Sequence, residues 1–127
     1  MKNVIILGLF ALTTILTSCE GSDVYRGEWK AVNVEGLKSE ITFTEDQMTL
    51  SNKDGDSGTW EYSQNSVSIE NGTRSYGIKL ENGLNYRITF PIKDNVERGA
   101  ISDQNDRIIY LIGRNGHYSY EDVFGIR

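Results

Sequence analysis

The chain has few of the residues on which catalytic and metal sites are usually built. Its 127 residues include one cysteine, Cys19, and one histidine, His117. A single cysteine excludes an internal disulfide, so the hydrophobic core alone must stabilise a small domain here. A catalytic triad would need His117 to meet a serine and an acid across the fold, and no hydrolase motif accompanies it. We therefore expect no enzymatic activity, no cofactor and no metal ion, with His117 in a surface turn.

Basic residues are in the minority, which limits the classes of partner. The formal net charge is −5, with 13 lysines and arginines against 18 acidic residues. A nucleic-acid-binding protein needs a basic stripe to displace counterions from phosphates. The basic residues here are instead scattered among acidic ones: Arg26, Lys38, Arg74, Arg87 and Arg107. The sequence therefore predicts no nucleic-acid partner and no attraction to an anionic membrane through charge.

The sequence also lacks an apolar run long enough for a transmembrane helix. The run from Val4 to Leu16 follows Lys2 and is far short of the ~20 residues that cross a bilayer. Its length and the preceding lysine are typical of a secretory signal. It leads directly into Leu16-Thr17-Ser18-Cys19, which resembles the lipobox of bacterial lipoproteins.

The lipobox resemblance implies how the N-terminus is processed. Residues 1–18 would be a signal peptide, and Cys19 would carry a diacylglycerol as the first mature residue. Residues 19–26 would then form the lipidated N-terminus and a short tether. Attachment would be to a membrane of the cell envelope, either the outer membrane or another periplasm-facing surface. The alternative is an unmodified thiol that happens to lie at the cleavage site.

From Gly27 onward the pattern is typical of an all-β domain covering residues 27–127. Apolar and polar residues alternate with a period of two, and turn residues separate the segments. Tight turns are indicated at Asn71-Gly72, Asn82-Gly83 and Asn115-Gly116, where both residue types tolerate positive φ. The sequence predicts an antiparallel up-and-down meander of eight or nine strands and no helix. Closure into a small barrel is preferred to an open sandwich because it removes exposed edges.

The alternation also assigns side chains to the barrel interior. A further turn is predicted at Gln64-Asn65. Residues 108–112 are apolar on both faces, so this strand is expected to be central or covered by the tail. The segment from His117 to Arg127 is expected either to add a strand or to wrap the outside. The predicted inward rows are Trp29 and Ala31, Ile41 and Phe43, Met48 and Leu50, Tyr76, Ile78 and Leu80, then Leu84, Tyr86, Ile88, Phe90 and Ile92.

The start of the first strand, Gly27-Glu28-Trp29, resembles the Gly-x-Trp signature of lipocalins and other calycins. The resemblance implies a barrel in which Trp29 plugs the closed end. It also implies that a basic residue from the last barrel strand packs over the indole, and Arg114, just after Ile112-Gly113, is the matching candidate by order along the chain. Together with the lipobox, the chain looks like the small lipocalin-like lipoproteins common in Bacteroidetes.

The sequence is compatible with two functions. The first is binding of a small hydrophobic or amphipathic ligand at the barrel mouth by an aromatic set. The second is an interaction protein, such as an accessory subunit of an envelope complex or a periplasmic inhibitor, that uses its loops and its C-terminal tail. A cavity of about 300 Å³ or more would favour the ligand, whereas a filled interior with an exposed aromatic tail would favour the partner. The aromatic candidates, for which ordinary core filling is the favoured alternative, are Trp60, Tyr62, Tyr76, Tyr86 and Tyr110.

Overall fold

The computed structural model describes residues 24–52 and 57–125. The predicted signal peptide, Cys19 and the first part of the tether lie outside the described residues, as do residues 53–56 and 126–127. No helix within the described part of the chain is long and apolar enough to cross a bilayer.

The described residues form one closed barrel of antiparallel strands in sequence order. Pairing of the first strand with the last closes the barrel, which confirms the predicted all-β meander and sets the number of strands at eight. The strands are β1 Gly27–Asn33, β2 Lys38–Phe43, β3 Gln47–Asn52, β4 Ser57–Glu70, β5 Thr73–Leu80, β6 Asn85–Phe90, β7 Arg98–Ser102 and β8 Ile108–Gly113.

Because consecutive strands alternate in direction, the barrel has two distinct ends. We call the end where β1 begins at Gly27 the plug end, and the end where β1 finishes at Asn33 the mouth end. The β1–β2, β3–β4, β5–β6 and β7–β8 connections lie at the mouth end. The start of the described chain and Arg114, the first residue after β8, lie at the plug end.

The barrel interior is filled by most of the predicted inward rows. Alternate side chains of a strand point to opposite faces, so one face of every strand contributes to the core. Leu84 is an exception and is exposed, while Leu50 and Ile92 are only partly buried. The core also contains Tyr25, which precedes β1. The predicted residues that are buried include Trp29, Ala31, Ile41, Phe43, Met48, Tyr76, Ile78, Leu80, Ile88 and Phe90.

The predicted turn at Gln64-Asn65 is wrong, because β4 continues through it to Glu70. The register between β4 and β5 shifts between Gln64 and Ser66, which marks a β-bulge. Gly77 faces the bulge, and a Cβ there would lie 2.2 Å from the Ser66 hydroxyl. The polar residues that suggested a turn therefore produce a local bend in one long strand.

The prediction of no helix is also wrong, because a short helix, α1, spans Tyr120–Phe124. The Ser119 side chain accepts a hydrogen bond from the Asp122 amide, and the Asp122 carboxylate accepts one from the Ser119 amide. This capping box starts the helix, and the spacing Ser-x-x-Asp was its signal in the sequence. Val123 is buried, and the helix packs on β7 and β8. The tail therefore wraps the outside of the barrel and does not add a strand.

Candidate functional site

The plug end is closed by Trp29 and Arg114. The indole of Trp29 is buried, and its Nε1 donates a hydrogen bond to the Tyr25 carbonyl at 2.8 Å. The Cζ atom of Arg114 lies 3.7 Å from the centroid of the Trp29 ring. A guanidinium at this distance is attracted by the negative face of the indole.

Arg114 also ties the start of the domain to the end of its last strand. Its Nη1 donates to the Glu28 carbonyl at 3.1 Å, and its Nη2 donates to the carbonyls of Val24 at 3.0 Å and Arg26 at 2.7 Å. Burial lowers the pKa of Arg114 from its ordinary value, while the Glu97 carboxylate opposes this change. These three hydrogen bonds therefore hold residues 24–28 against the end of β8.

Gly27 is required beside this contact. Its φ is +103°, a conformation that favours glycine. A Cβ at this position would also lie 3.0 Å from the Arg114 Nη1. Gly27, Trp29 and Arg114 therefore form one structural unit that closes the barrel.

Two of the five aromatic candidates lie deep in the core and not at the mouth. Tyr76 is buried, and the Tyr62 hydroxyl donates to the Thr44 carbonyl at 2.6 Å near the plug end. The Tyr25 ring centroid lies 5.2 Å from that of Tyr76 and 6.3 Å from that of Tyr62. Burial raises the pKa of the Tyr25 hydroxyl well above its usual range and raises that of Tyr62 as well. These rings fill the space that a carried ligand would occupy.

The other three candidates meet at the mouth end. Trp60, Tyr86 and Tyr110 line a recess of about 90 Å³, together with aliphatic residues such as Leu50 and Leu84. This volume is well below the roughly 300 Å³ of ordinary small-molecule pockets. Burial raises the pKa values of the Tyr86 and Tyr110 hydroxyls. The recess can therefore hold the end of an apolar group but not a whole lipid.

Gly58 shapes this recess because its lack of a side chain lets the Trp60 ring lie close against the backbone of β4. A Cβ on Gly58 would lie 2.6 Å from the ring. The glycine therefore allows the indole to fold back along the wall toward the mouth.

A larger apolar groove of about 360 Å³ lies beside the mouth. It follows β1 and β8 and is bordered by Val34 of the β1–β2 loop and by Tyr120 of α1. These two side chains are 79% and 48% exposed, and the Tyr120 ring stacks on Phe124 with centroids 4.5 Å apart. Leu111 of β8 forms part of its wall, and Tyr110 is shared with the mouth recess.

The sequence contains one signal for this groove, the run of apolar residues in β8. Residues 108–112 are apolar on both faces, and the outer face was expected to be buried by neighbouring strands or the tail. The structure covers β8 only in part, because α1 is short and leaves Leu111 half-buried. Only the tertiary structure shows that the β1–β2 loop and α1 border the same partly exposed outer surface of β8.

His117 is exposed and lines neither the mouth recess nor the outer groove. It lines a surface recess of about 240 Å³ on the β2–β3 side, with Lys38, Glu40 and Ser51 among its neighbours. Among the residues that the structure describes, no group of three histidine, cysteine or acidic side chains is placed to hold a metal ion.

No protein-family model and no curated protein matches this chain. The fold defines a class, a small closed antiparallel barrel plugged by a tryptophan and an arginine. The function is therefore inferred from the surfaces that the described residues present.

Proposed function

We propose that this protein is a lipid-anchored lipoprotein of the bacterial cell envelope whose barrel is a non-catalytic interaction module. Acylated Cys19 would provide the anchor, a role supported by the lipobox-like sequence that precedes it. The described residues begin at Val24, so only residues 20–23 would lie between them and the acylated cysteine. The resemblance to small lipocalin-like lipoproteins of Bacteroidetes supports the same assignment.

One observation carries the interaction role: the β1–β2 loop and the C-terminal helix border the same apolar groove. The core is filled by aromatic side chains, so the space that would carry a lipid is already occupied. Exposed contiguous apolar surface beside aromatic residues is typical of protein contact sites. The partner would be an envelope protein that offers an aliphatic or aromatic segment to the groove between Val34 and Tyr120.

A photocrosslinker at the position of Tyr120 tests this proposal in living cells. We expect benzoylphenylalanine at this position to give an adduct of one discrete mass. Val34→Ser should reduce the adduct several-fold, because it removes apolar surface at the other end of the groove without touching the core. The adduct is measured by immunoblot and identified by mass spectrometry.

Two controls make the crosslinking result specific. Leu37→Ser changes an exposed residue of the same loop that does not line the groove, so the adduct should persist. A crosslinker at Lys79, exposed on the opposite wall of the barrel, should give no such adduct. An adduct that is insensitive to Val34→Ser, or equal at Lys79, would contradict the proposal.

A second candidate function is binding of a small amphipathic ligand at the mouth recess. The three aromatic side chains that line it, Trp60, Tyr86 and Tyr110, favour this role. With about 90 Å³ available, the recess would take a ring or a short alkyl end and leave the polar part of the ligand at the rim.

Displacement of a fluorescent fatty acid from the purified domain tests this second role. We expect Tyr86→Ala to weaken binding by about tenfold, since loss of a contact worth roughly 1.4 kcal/mol changes affinity by that factor. Tyr62→Phe removes only a hydroxyl at the far end of the core and serves as the matched control. No displacement at micromolar protein would remove the small-ligand candidate.

A further inference from the structure

The second half of β4 leaves the wall of the barrel. On one side, β3 pairs with β4 only between Ser57 and Glu61. On the other side, β5 pairs with β4 as far as Glu70. The hairpin formed by the end of β4 and the start of β5 therefore projects at the plug end, beyond the reach of β3.

Two aliphatic side chains of this hairpin are exposed although they lie on the inner face. Val67 is directly opposite the buried Tyr76, and Ile69 is opposite Arg74. Directly paired residues share a face of the sheet. Val67 and Ile69 are nevertheless 47% and 56% exposed, because no strand lies across from them. Elsewhere in this barrel the inner row is largely buried.

The chain enters the barrel beside the same hairpin. The Tyr25 hydroxyl donates a hydrogen bond at 2.7 Å to the Gln64 side chain, in the part of β4 where the hairpin begins to project. Only residues 20–23 separate Cys19 from Val24. An extended chain spans about 3.3–3.6 Å per residue, so the anchor lies within roughly 17 Å of the plug end.

The groups around the hairpin suit the interface of a bilayer. Arg74 lies opposite Ile69, and the Lys93 side chain packs against Gly72 in the turn. Glu70 and Asp94 are also close, so the local charges are mixed. Long basic side chains can place their charge at the headgroups while apolar neighbours enter the lipid. Apolar contact, and not net charge, would hold the hairpin there.

We infer that Val67 and Ile69 contact the membrane that holds the lipid anchor, so that the barrel stands on its plug end. This inference rests on the proposed acylation of Cys19. The mouth recess then faces away from the lipid, about one strand length from the bilayer. The outer groove beside it is likewise open to partners in the aqueous compartment.

Fluorescent probes at single cysteines test this orientation in the acylated full chain. Ile69→Cys and Val34→Cys place an environment-sensitive probe at two exposed aliphatic positions on opposite ends of the barrel. In phosphatidylethanolamine–phosphatidylglycerol vesicles containing brominated lipid, the Ile69 probe should emit at shorter wavelength. Bromolipid should quench it several-fold more than the Val34 probe. Val67→Cys gives a second test position should the first variant fold poorly by circular dichroism.

Flotation of the vesicles separates failure of the anchor from failure of the orientation. Protein that does not float contradicts both the acylated Cys19 and the inference that depends on it. Protein that floats with the Ile69 probe in water overturns the inference alone. Equal quenching at both positions also overturns it, because the barrel would then lie on its side. A shift of the Ile69 probe that needs no lipid and grows with protein concentration would assign the hairpin to a second copy instead.

Discussion

Replacing Arg114 by methionine is expected to lower the free energy of unfolding by about 3 kcal/mol, since hydrogen bonds to a charged group contribute roughly 1.5–3 kcal/mol. Methionine keeps much of the apolar stem but removes the three donors to the carbonyls of Val24, Arg26 and Glu28. It also removes the stacking on Trp29. Urea unfolding followed by tryptophan fluorescence measures the loss.

Arg87→Met is the matched control for this prediction. Arg87 makes an ion pair with Asp106 at 2.9 Å, but the two side chains are 54% and 76% exposed. Exposed ion pairs contribute about 0–1 kcal/mol, so this variant should remain close to the parent protein. Equal destabilisation by the two substitutions would show that Arg114 does not hold the plug.

Two further variants separate the components of the Arg114 contact. Arg114→Lys should recover little stability, because an ammonium lacks the planar fork that reaches several carbonyls at once. A double-mutant cycle with Trp29→Leu, which removes the aromatic ring, should give a coupling of about 0.5–2 kcal/mol for the cation and the ring. A coupling near zero would mean that Arg114 stabilises the protein through its hydrogen bonds alone.

Replacing Cys19 by alanine is expected to release the protein from the membrane fraction. Each methylene of an acyl chain contributes about 0.8 kcal/mol to membrane binding, and stable attachment takes more than one chain. The acidic barrel offers no basic patch that would replace this contribution. Two exposed aliphatic residues on one hairpin are too small an area to hold the protein by themselves.

Partitioning between detergent and aqueous phases, with mass spectrometry of the N-terminal peptide, measures this release. Ser22→Ala changes a neighbouring tether residue without removing the thiol, so it should stay with the membranes. Unchanged partitioning of Cys19→Ala would contradict the lipid anchor. It would leave the interaction surfaces of the barrel to be tested as those of an unanchored domain.

The two predicted roles depend on opposite ends of the barrel. The proposed anchor would join the chain at the plug end, where the hairpin projects and where Arg114 holds the start of the described residues. The recess and the outer groove lie toward the mouth end, where Val34 is most exposed. A lipoprotein arranged in this way keeps its recognition surfaces away from the lipid.

The aromatic candidates show how far the sequence could predict the site. Alternation assigned Tyr62 and Tyr76 to the inner face, and both are buried. It could not assign their depth, since height along the barrel depends on the stagger of neighbouring strands. Tyr62 lies just past the last β3–β4 pair and reaches Thr44 at the plug end. Trp60, two residues earlier, bends over Gly58 and reaches the mouth.

The side chains that close the plug end were easier to predict from the sequence than the backbone atoms that they contact. The resemblance of the Gly-x-Trp pattern to lipocalins indicates Gly27 and Trp29, and the order of the chain adds Arg114. The three backbone carbonyls that Arg114 binds are not indicated by the sequence: those of Val24 and Arg26 flank the core residue Tyr25, and the third belongs to Glu28 in β1. Backbone acceptors carry no signal in the identity of their residues.

The sequence by itself determined that this chain forms an antiparallel meander and which face of most strands is apolar, because strand geometry imposes a period of two on each segment separately. The tertiary structure decided what each inner side chain faces. Val67 and Ile69 follow the same alternation as the buried rows, yet they are exposed because β3 starts at Gln47, opposite Glu61, and does not extend beside them. Where strands start and stop relative to one another depends on the whole closed barrel. The relative positions of the strand ends therefore determine which apolar residues are buried in the core and which are exposed on the surface.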